Sequence, residues 1–160
     1  MKDFRVGIGQ DSHKFSDDPS KKLFLGGIEV SDEKGLEANS DGDAVIHAIC
    51  RALEQAIGGE SFSIYADKMN KDGVLDSKDF LKVSVEHVKE KGYRINNVGI
   101  SIEAKKPNIS KISDNMKKSL SSVLEIAEDN IGINATTGEG MTPFGKGEGV
   151  QAFAIVSLLK

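Results

Sequence analysis

The sequence is poor in the residues that stabilise small disulfide-bonded or zinc-finger domains. It has a single cysteine, Cys50, among 160 residues, which excludes an internal disulfide and a cysteine-rich zinc module. One cysteine also fits a reducing compartment. If the chain binds a metal ion, histidine and carboxylate side chains must therefore hold it.

Long apolar runs and an excess of positive charge are also missing. No run approaches the ~18 apolar residues that a membrane span needs, and the first residues, MKDFRVGIG, have no feature of a targeting segment. The formal net charge of −4 argues against general nucleic-acid binding. With 38% hydrophobic and 29% charged residues, we expect one soluble globular domain spanning residues 1–160.

Hydrophobic periodicity predicts an α+β fold. Alternation of apolar and polar residues predicts strands, and spacing of three and four residues predicts helices. The predicted strands cover residues 4–10, 22–30, 94–103, 131–136 and 150–158. Because strands and helices interleave, we expect a single-layer mixed β-sheet with helices packed on one face.

Polar residues indicate where the helices begin. Ser40 and Asp43, three residues apart, resemble a capping box before the first helix, and Gly58-Gly59 predicts its end. Ser77 is the candidate cap of the next helix. The clearest helical period in the chain runs from Ile109 to Ala127.

Two strands predict apolar faces that one layer of helices leaves uncovered. We expect exposed faces at Val98, Ile100 and Ile102 and at Val150, Ala152 and Ala154. Such faces need a partner, which favours a homo-oligomer.

Asp11, His13 and His47 are the candidate metal ligands. Residues i and i+2 of a strand point the same way, so Asp11 and His13 can converge on one ion. Zinc accepts carboxylate oxygen and imidazole nitrogen, and three protein ligands leave a fourth position open. The alternative is a solvated strand end and a surface His47. Cys50 is better explained as a buried small side chain, and His87, with no carboxylate cluster beside it, as structural or solvated.

A glycine-rich segment, residues 138–149, follows Thr136-Thr137 and is a candidate phosphate loop. Glycines let backbone N–H groups approach a phosphate, and Lys146 adds a positive charge. Glu139 supplies an oxygen for Mg²⁺. The segment matches neither the Walker A nor the dinucleotide pattern, so a turn before an edge strand is the alternative.

Residues 67–80 have some features of a calcium-binding loop. In the register that places Asp72-Gly73 at positions 5 and 6, Lys68 stands where the first carboxylate belongs. Residues 58–63 are also a poor entering helix. We interpret Asp67–Asp79 as a solvated acidic loop, with calcium binding as the alternative.

Taken together, these motifs resemble those of the 2-C-methyl-D-erythritol 2,4-cyclodiphosphate synthase family of the non-mevalonate isoprenoid pathway. The matching motifs occur in order across nearly the whole chain. They are residues 5–13 (RVGIGQDSH), 25–28 (LGGI), 33–36 (EKGL), 40–43 (SDGD) with His47, 97–98 (NV), Pro107, 135–137 (ATT) with Glu139, and 145–149 (GKGEG).

The resemblance implies a homotrimer with active sites between subunits, in which a cytidine diphosphate-linked methylerythritol 2-phosphate is cyclised and CMP leaves. It implies that Asp11, His13 and His47 hold Zn²⁺ and that Glu139 contacts Mg²⁺ or Mn²⁺. Phosphoryl transfer depends on in-line positioning and charge neutralisation, which suits these residues. The implied substrate contacts are Ser40, Asp41, Gly42, Thr136, Thr137, Lys146 and the cytosine loop Ala104, Lys106, Pro107, Asn108, Ile109 and Ser110.

Several residues depart from the family pattern. Asn39 replaces a histidine, Arg51 an aspartate, Gly138 a threonine and Lys146 an arginine. Residues 60–62 and 67–70 replace the segments that bind the methylerythritol unit, and Lys106, Asn108 and Ile109 are unusual in the cytosine loop. The zinc ligands are intact, whereas much of the substrate pocket differs.

Three functions are therefore to be compared. The first is the cyclodiphosphate synthase reaction, located in a bacterial cytoplasm or, after processing, in a plastid stroma. The second is a non-catalytic zinc-containing trimer that binds a nucleotide or an isoprenoid phosphate. The third is a metal phosphohydrolase that uses the same three ligands and releases inorganic phosphate.

Overall fold

The computed structural model describes residues 3–160, which form one mixed sheet, one hairpin and a layer of helices. The elements in chain order are β1 (Phe4–Lys14), β2 (Lys22–Leu25), β3 (Ile28–Lys34), α1 (Ala44–Ile57), α2 (Phe62–Lys71), α3 (Ser77–Glu90), β4 (Arg94–Glu103), α4 (Ile109–Leu124), β5 (Ile131–Thr136), α5 (Pro143–Lys146) and β6 (Gly149–Leu159). The α+β prediction is confirmed. No helix of residues 3–160 has the length and apolar content of a membrane span.

The main sheet has the strand order β1-β6-β4-β5. Strand β6 is antiparallel to both β1 and β4, while β4 and β5 are parallel. Helix α1 packs on β1 and β6, and α4 packs on β5. One face of the sheet is therefore covered by helices, and the other face is open in the single chain.

The predicted strand over residues 22–30 is two strands. Gly26 and Gly27 both have positive φ angles, 61° and 78°, so the chain reverses there and β2 pairs with β3 as a hairpin. The apolar residues on each side of the two glycines belong to separate strands for this reason.

The prediction of which residues form the uncovered face was wrong. Val98, Ile100 and Ile102 and their neighbours Val150, Ala152 and Ala154 are buried beneath the helices. Side chains alternate across a strand, so the residues between them face outward. The large apolar side chains exposed on β1 and β6 are Phe4, Val6, Ile8, Phe153 and Ile155.

Both predicted helix caps were wrong by a few residues. Asp43, not Ser40, caps α1: its carboxylate accepts the backbone N–H of Ile46 at 3.0 Å. Asp76, not Ser77, caps α3 by accepting the N–H of Lys78 at 2.9 Å. The two displaced serines, Ser40 and Ser77, lie instead beside His47.

Most of the segment Asp67–Asp79, interpreted as an acidic loop, is helical, because α2 and α3 both extend into it. Helix α2 covers Phe62–Lys71, and the chain then turns through Gly73 into α3. Only Phe62 and Ala66 of α2 are fully buried, so its apolar period is too short to stand out in the sequence. Packing against α1 and α3 stabilises this helix.

Candidate active site

Close packing of α1 on β1 positions the predicted metal ligands. Gly7 and Gly9 of β1 face α1, and a Cβ atom on them would lie 2.0 Å from the Ala52 carbonyl oxygen or 2.1 Å from that of Ala48. Only glycine permits so close an approach. Asp11 and His13 follow at intervals of two residues, so they lie on the same face of the strand.

The structure brings Asp11, His13 and His47 together. Asp11 Oδ2 lies 2.8 Å from His13 Nε2 and 3.0 Å from His47 Nδ1. One donor atom of each residue lies within 4.8 Å of the other two. His47 is only 6% exposed, which rules out the surface histidine that was the alternative interpretation. We call these three residues the triad.

Hydrogen bonds on the far side of His47 determine which ring nitrogen carries a hydrogen. Ser77 Oγ donates to the carboxylate of Asp41, which also accepts the backbone N–H of Ser77 at 2.9 Å. Since the hydroxyl has one hydrogen, it must act as the acceptor in its 2.9 Å contact with His47 Nε2. In the neutral ring the lone pair is then on Nδ1, the atom that faces Asp11.

This arrangement fits a metal ion. A nitrogen lone pair and a carboxylate oxygen 3.0 Å apart repel each other unless a proton or a metal ion lies between them, and the ligand set suits the metal. His13 Nε2 is buried and makes no hydrogen bond, although Asp11 Oδ2 is only 2.8 Å away. Two imidazole nitrogens and one carboxylate oxygen form a ligand set that suits Zn²⁺ and leaves a fourth position free.

The Asp11 carboxyl is ionised, as a metal ligand must be. Burial acts to raise its pKa, but the contacts with His13 and His47 outweigh burial and hold that pKa well below its usual range. Burial lowers the pKa of His13, and the neighbouring Asp11 carboxylate reverses this, so the pKa is raised overall. The charge on Asp11 is thus the dominant electrostatic feature of the triad.

Asp43 has a structural role. Its carboxylate accepts backbone N–H groups from Gly26 at 3.0 Å and Gly27 at 2.7 Å, besides capping α1. It therefore ties the β2–β3 turn to the helix that carries His47. Burial, with the charge of Asp41, raises the pKa of Asp43 in spite of these bonds.

The triad opens into a pocket of about 230 Å³ between α1, α2 and the segment before α1. Arg51 reaches this pocket, with Nη2 3.5 Å from Asp11 Oδ1 and its guanidinium 5.1 Å from the centre of the Phe62 ring. Ser40, Asn39 and Asn70 also line it. Sequence reasoning missed Ser77 and Asn70, because α2 and the true start of α3 were not predicted.

Apart from Ser40, the other predicted site residues lie outside the triad pocket. Lys106 and Lys146 line a second, open pocket of about 620 Å³ that also contains Lys105 and Glu148. The backbones of the cytosine and phosphate segments are joined, since the Ala104 N–H donates to the Thr136 carbonyl at 3.1 Å. The residues Thr136, Thr137 and Glu139 line neither pocket.

Side chains of the predicted cytosine loop divide between core and surface. Ala104, Pro107 and Ile109 are buried, so they can offer only backbone groups to a ligand. Lys106, Asn108 and Ser110 are exposed. Asn108 is also the residue before α4.

The remaining histidine and cysteine are explained by packing. His87 Nδ1 lies 2.8 Å from Oε1 of the buried Glu54, a single carboxylate, which agrees with the structural role predicted for this histidine. Cys50 is fully buried, as predicted, and burial raises the pKa of its thiol to about 12. A thiol with so high a pKa is a poor metal ligand.

The YgbB family pattern matches residues 4–159. A 2-C-methyl-D-erythritol 2,4-cyclodiphosphate synthase of Chlamydia trachomatis serovar L2 is 41% identical over 159 residues, covering 98% of this chain and 89% of the relative. The synthase of Clostridium acetobutylicum is 41% identical over 156 residues, covering 97% and 99%.

Solved structures agree with the sequence relatives. IspF of Plasmodium falciparum in complex with CDP superposes with a TM-score of 0.85 at 31% identity, covering 98% of this chain and 96% of that one. The bifunctional IspDF of Campylobacter jejuni gives a TM-score of 0.90 at 29% identity, covering 99% of this chain and 43% of that longer one.

The fold and the full-length match define the class: the chain belongs to the YgbB family. Its relatives are 2-C-methyl-D-erythritol 2,4-cyclodiphosphate synthases, and at this similarity the chain is an enzyme of the lyase class. The resemblance inferred from the sequence motifs is therefore confirmed.

Proposed function

We propose that this enzyme converts 4-diphosphocytidyl-2-C-methyl-D-erythritol 2-phosphate into 2-C-methyl-D-erythritol 2,4-cyclodiphosphate and CMP. The convergence of Asp11, His13 and His47 in a chain so similar to named synthases carries the proposal. An oxygen of the 2-phosphate attacks the β-phosphorus and forms the new P–O bond. The bond from the β-phosphorus to the bridging oxygen breaks, and the α-phosphate leaves as part of CMP.

The triad would hold Zn²⁺. When bound, the ion supplies Lewis-acid stabilisation of the charge that develops on phosphoryl oxygens. Asp11 contributes a buried negative charge, and the His47 Nε2–H bond to Ser77 keeps the Nδ1 lone pair directed at the ion. Asp41 therefore orients His47 indirectly, through its hydrogen bonds with Ser77. Asp41, Ser40 and Gly42 remain proposed substrate contacts.

The second half of the proposed site lies at the ends of β4 and β5. Glu139 would hold Mg²⁺ or Mn²⁺ together with substrate phosphates. Thr136 and Thr137 would donate hydrogen bonds to phosphate, and Lys146 would add positive charge. The proposed cytosine loop is Ala104, Lys106, Pro107, Asn108, Ile109 and Ser110.

We propose a homotrimer with active sites between subunits. Glu139 and Thr137 do not line the triad pocket, which supports a site completed by a neighbouring copy. The open face of the sheet supports it too, because Ile8 and Ile155, directly paired across β1 and β6, are 53% and 51% exposed. Apolar side chains placed together in this way favour burial against another chain.

A cytidine diphosphate-linked substrate is supported by the solved relatives. Two of the similar structures, IspF of Plasmodium falciparum and another 2C-methyl-D-erythritol-2,4-cyclodiphosphate synthase, are CDP complexes. The bacterial relatives support action in a bacterial cytoplasm, with a plastid stroma as the other proposed location.

The proposal is tested by turnover of the diphosphocytidyl substrate with Zn²⁺ and Mg²⁺. We expect CMP and the cyclic diphosphate in equal amounts, measured by chromatography and phosphorus NMR. His47→Ala should lower kcat/KM by at least about a hundredfold, because it removes a metal ligand. His87→Ala is the matched control, since His87 lies outside the triad pocket, and it should retain activity.

Other products would identify the other functions. Tight binding of CDP, together with no release of CMP from the diphosphocytidyl substrate, would support the non-catalytic trimer. Free inorganic phosphate without a cyclic product would support a phosphohydrolase. Full turnover by His47→Ala would refute the role given to the triad.

A further inference from the structure

The pocket beside the triad contains unsatisfied polar atoms. In the part of the chain from residue 3 onward, three buried side-chain atoms have no hydrogen-bond partner: His13 Nε2, Arg51 Nε and Asn70 Oδ1. All three residues line this one pocket. His13 Nε2 faces the proposed metal position, so the metal accounts for it. Buried polar atoms are nearly always paired in native proteins, so Arg51 Nε and Asn70 Oδ1 indicate that a further polar ligand completes the pocket.

Arg51 is the cation of this pocket. Its guanidinium has five N–H donors. It forms an ion pair with Asp11, in which Nη2 lies 3.5 Å from Oδ1, a long distance for a charge-assisted bond. The guanidinium carbon lies 5.1 Å from the centre of the Phe62 ring, a distance at which a cation is attracted to the ring face. Several N–H donors of the Arg51 guanidinium are therefore available to an anion in the pocket.

The size of the pocket limits what the anion can be. A volume of about 230 Å³ is below the range of roughly 300–1,000 Å³ typical of sites for whole drug-sized ligands. It accommodates a phosphoryl group and its neighbouring atoms but not a complete nucleotide-linked substrate. The charge of the pocket also favours an anion. Arg51 neutralises the charge of Asp11, and a divalent ion on the triad would exceed the charge of Asp67, the other carboxylate lining the pocket.

We propose that Arg51 is a phosphate-binding residue of this enzyme, which holds a phosphoryl oxygen of the substrate beside the metal ion of the triad. This inference rests on the proposed function, which supplies the metal ion and the phosphate-bearing substrate. It adds a role for Arg51, a residue of α1 that lines the same pocket. Arg51 supplies directional N–H donors, and the neighbouring Asn70 amide supplies a further polar group to the same ligand. Because Oδ1 only accepts hydrogen bonds, the Asn70 amide meets a phosphoryl oxygen through its Nδ2–H group, with the amide turned by 180°.

The test separates Arg51 from the metal. Binding of Zn²⁺ alone is measured by competition with a chromophoric chelator, and binding of inorganic diphosphate to the zinc-loaded protein by calorimetry. Arg51→Gln should weaken diphosphate binding by about tenfold or more, the loss expected for one charge-assisted hydrogen bond. Arg51→Lys, which keeps the charge and loses the planar donors, should fall between.

The matched control is Arg94→Gln, which removes an exposed arginine outside this pocket and should bind diphosphate as the unchanged protein does. Zinc binding should persist in every variant. If Arg51→Gln holds zinc and binds diphosphate as tightly as the unchanged protein, the inference about Arg51 is overturned and the proposed function stands. If the unchanged protein binds no zinc, the proposed metal site itself fails.

Discussion

At the scale of single residues, the most informative contact is the one between Ser77 and His47. The hydroxyl hydrogen of Ser77 is taken by Asp41, so the serine can only accept from the imidazole. This fixes the tautomer of a buried histidine and presents Nδ1 to the metal position. Hydrogen-bonded partners behind a metal ligand commonly change metal affinity by ten- to a hundredfold.

We therefore expect Ser77→Ala to weaken zinc binding by about tenfold or more. The variant leaves the Nε2–H of His47 without its partner and frees the ring to adopt the other tautomer. Nitrogen-15 NMR of labelled histidine reports the tautomer, and chelator competition reports the zinc affinity.

Ser84→Ala is the control for this prediction. Ser84 is also a buried serine of α3, but it bonds Tyr65 rather than the triad. If Ser77→Ala and the control bind zinc equally tightly, Ser77 does not position His47.

At the scale of secondary-structure elements, strands were more predictable from the sequence than helix starts. Strands β4, β5 and β6 lie within one residue of the predicted ranges, because alternation marks each buried face. The helix caps were harder, since Ser40, Asp43, Asp76 and Ser77 are all residues that favour caps. Tertiary hydrogen bonds decided which of them act as caps.

The candidate site was predictable in part for a similar reason. Asp11 and His13 share a strand face in any structure with that strand, whereas the contact with His47 depends on two glycines that admit α1. Arg51 stood out in the sequence only as a departure from a pattern. Asn70 could not be found, because α2 has just two fully buried residues and gives a weak helical signal.

At the scale of the whole molecule, the open sheet face is the proposed interface between chains. Ile8, Phe153 and Ile155 line a wide apolar groove on this face, away from the helices. The sequence predicted an apolar face that needs a partner but assigned it to the wrong residues, because alternation alone does not say which side of a strand the helices cover.

We expect the protein to have a mass of about three times 17.2 kDa in solution, measured by light scattering. Ile155→Lys should dissociate it, since the substitution places a charge on the face proposed to be buried between copies. Ile64→Lys is the control, because Ile64 is a comparably exposed apolar residue on α2, and it should leave the mass unchanged.

Two results would contradict the proposed assembly. One is a mass near 17.2 kDa for the unchanged protein. The other is an unchanged mass in Ile155→Lys, which would mean that the open face is not the interface.

The central proposal is that strand β1 and helix α1 together hold one metal ion. The zinc content of purified protein, determined by elemental mass spectrometry, tests this directly. We predict one zinc ion per chain in the unchanged protein and in His87→Ala, and loss of that ion in both His13→Ala and His47→Ala. Zinc retained at full content in either triad variant, or bound by neither the unchanged protein nor the control, would contradict the account.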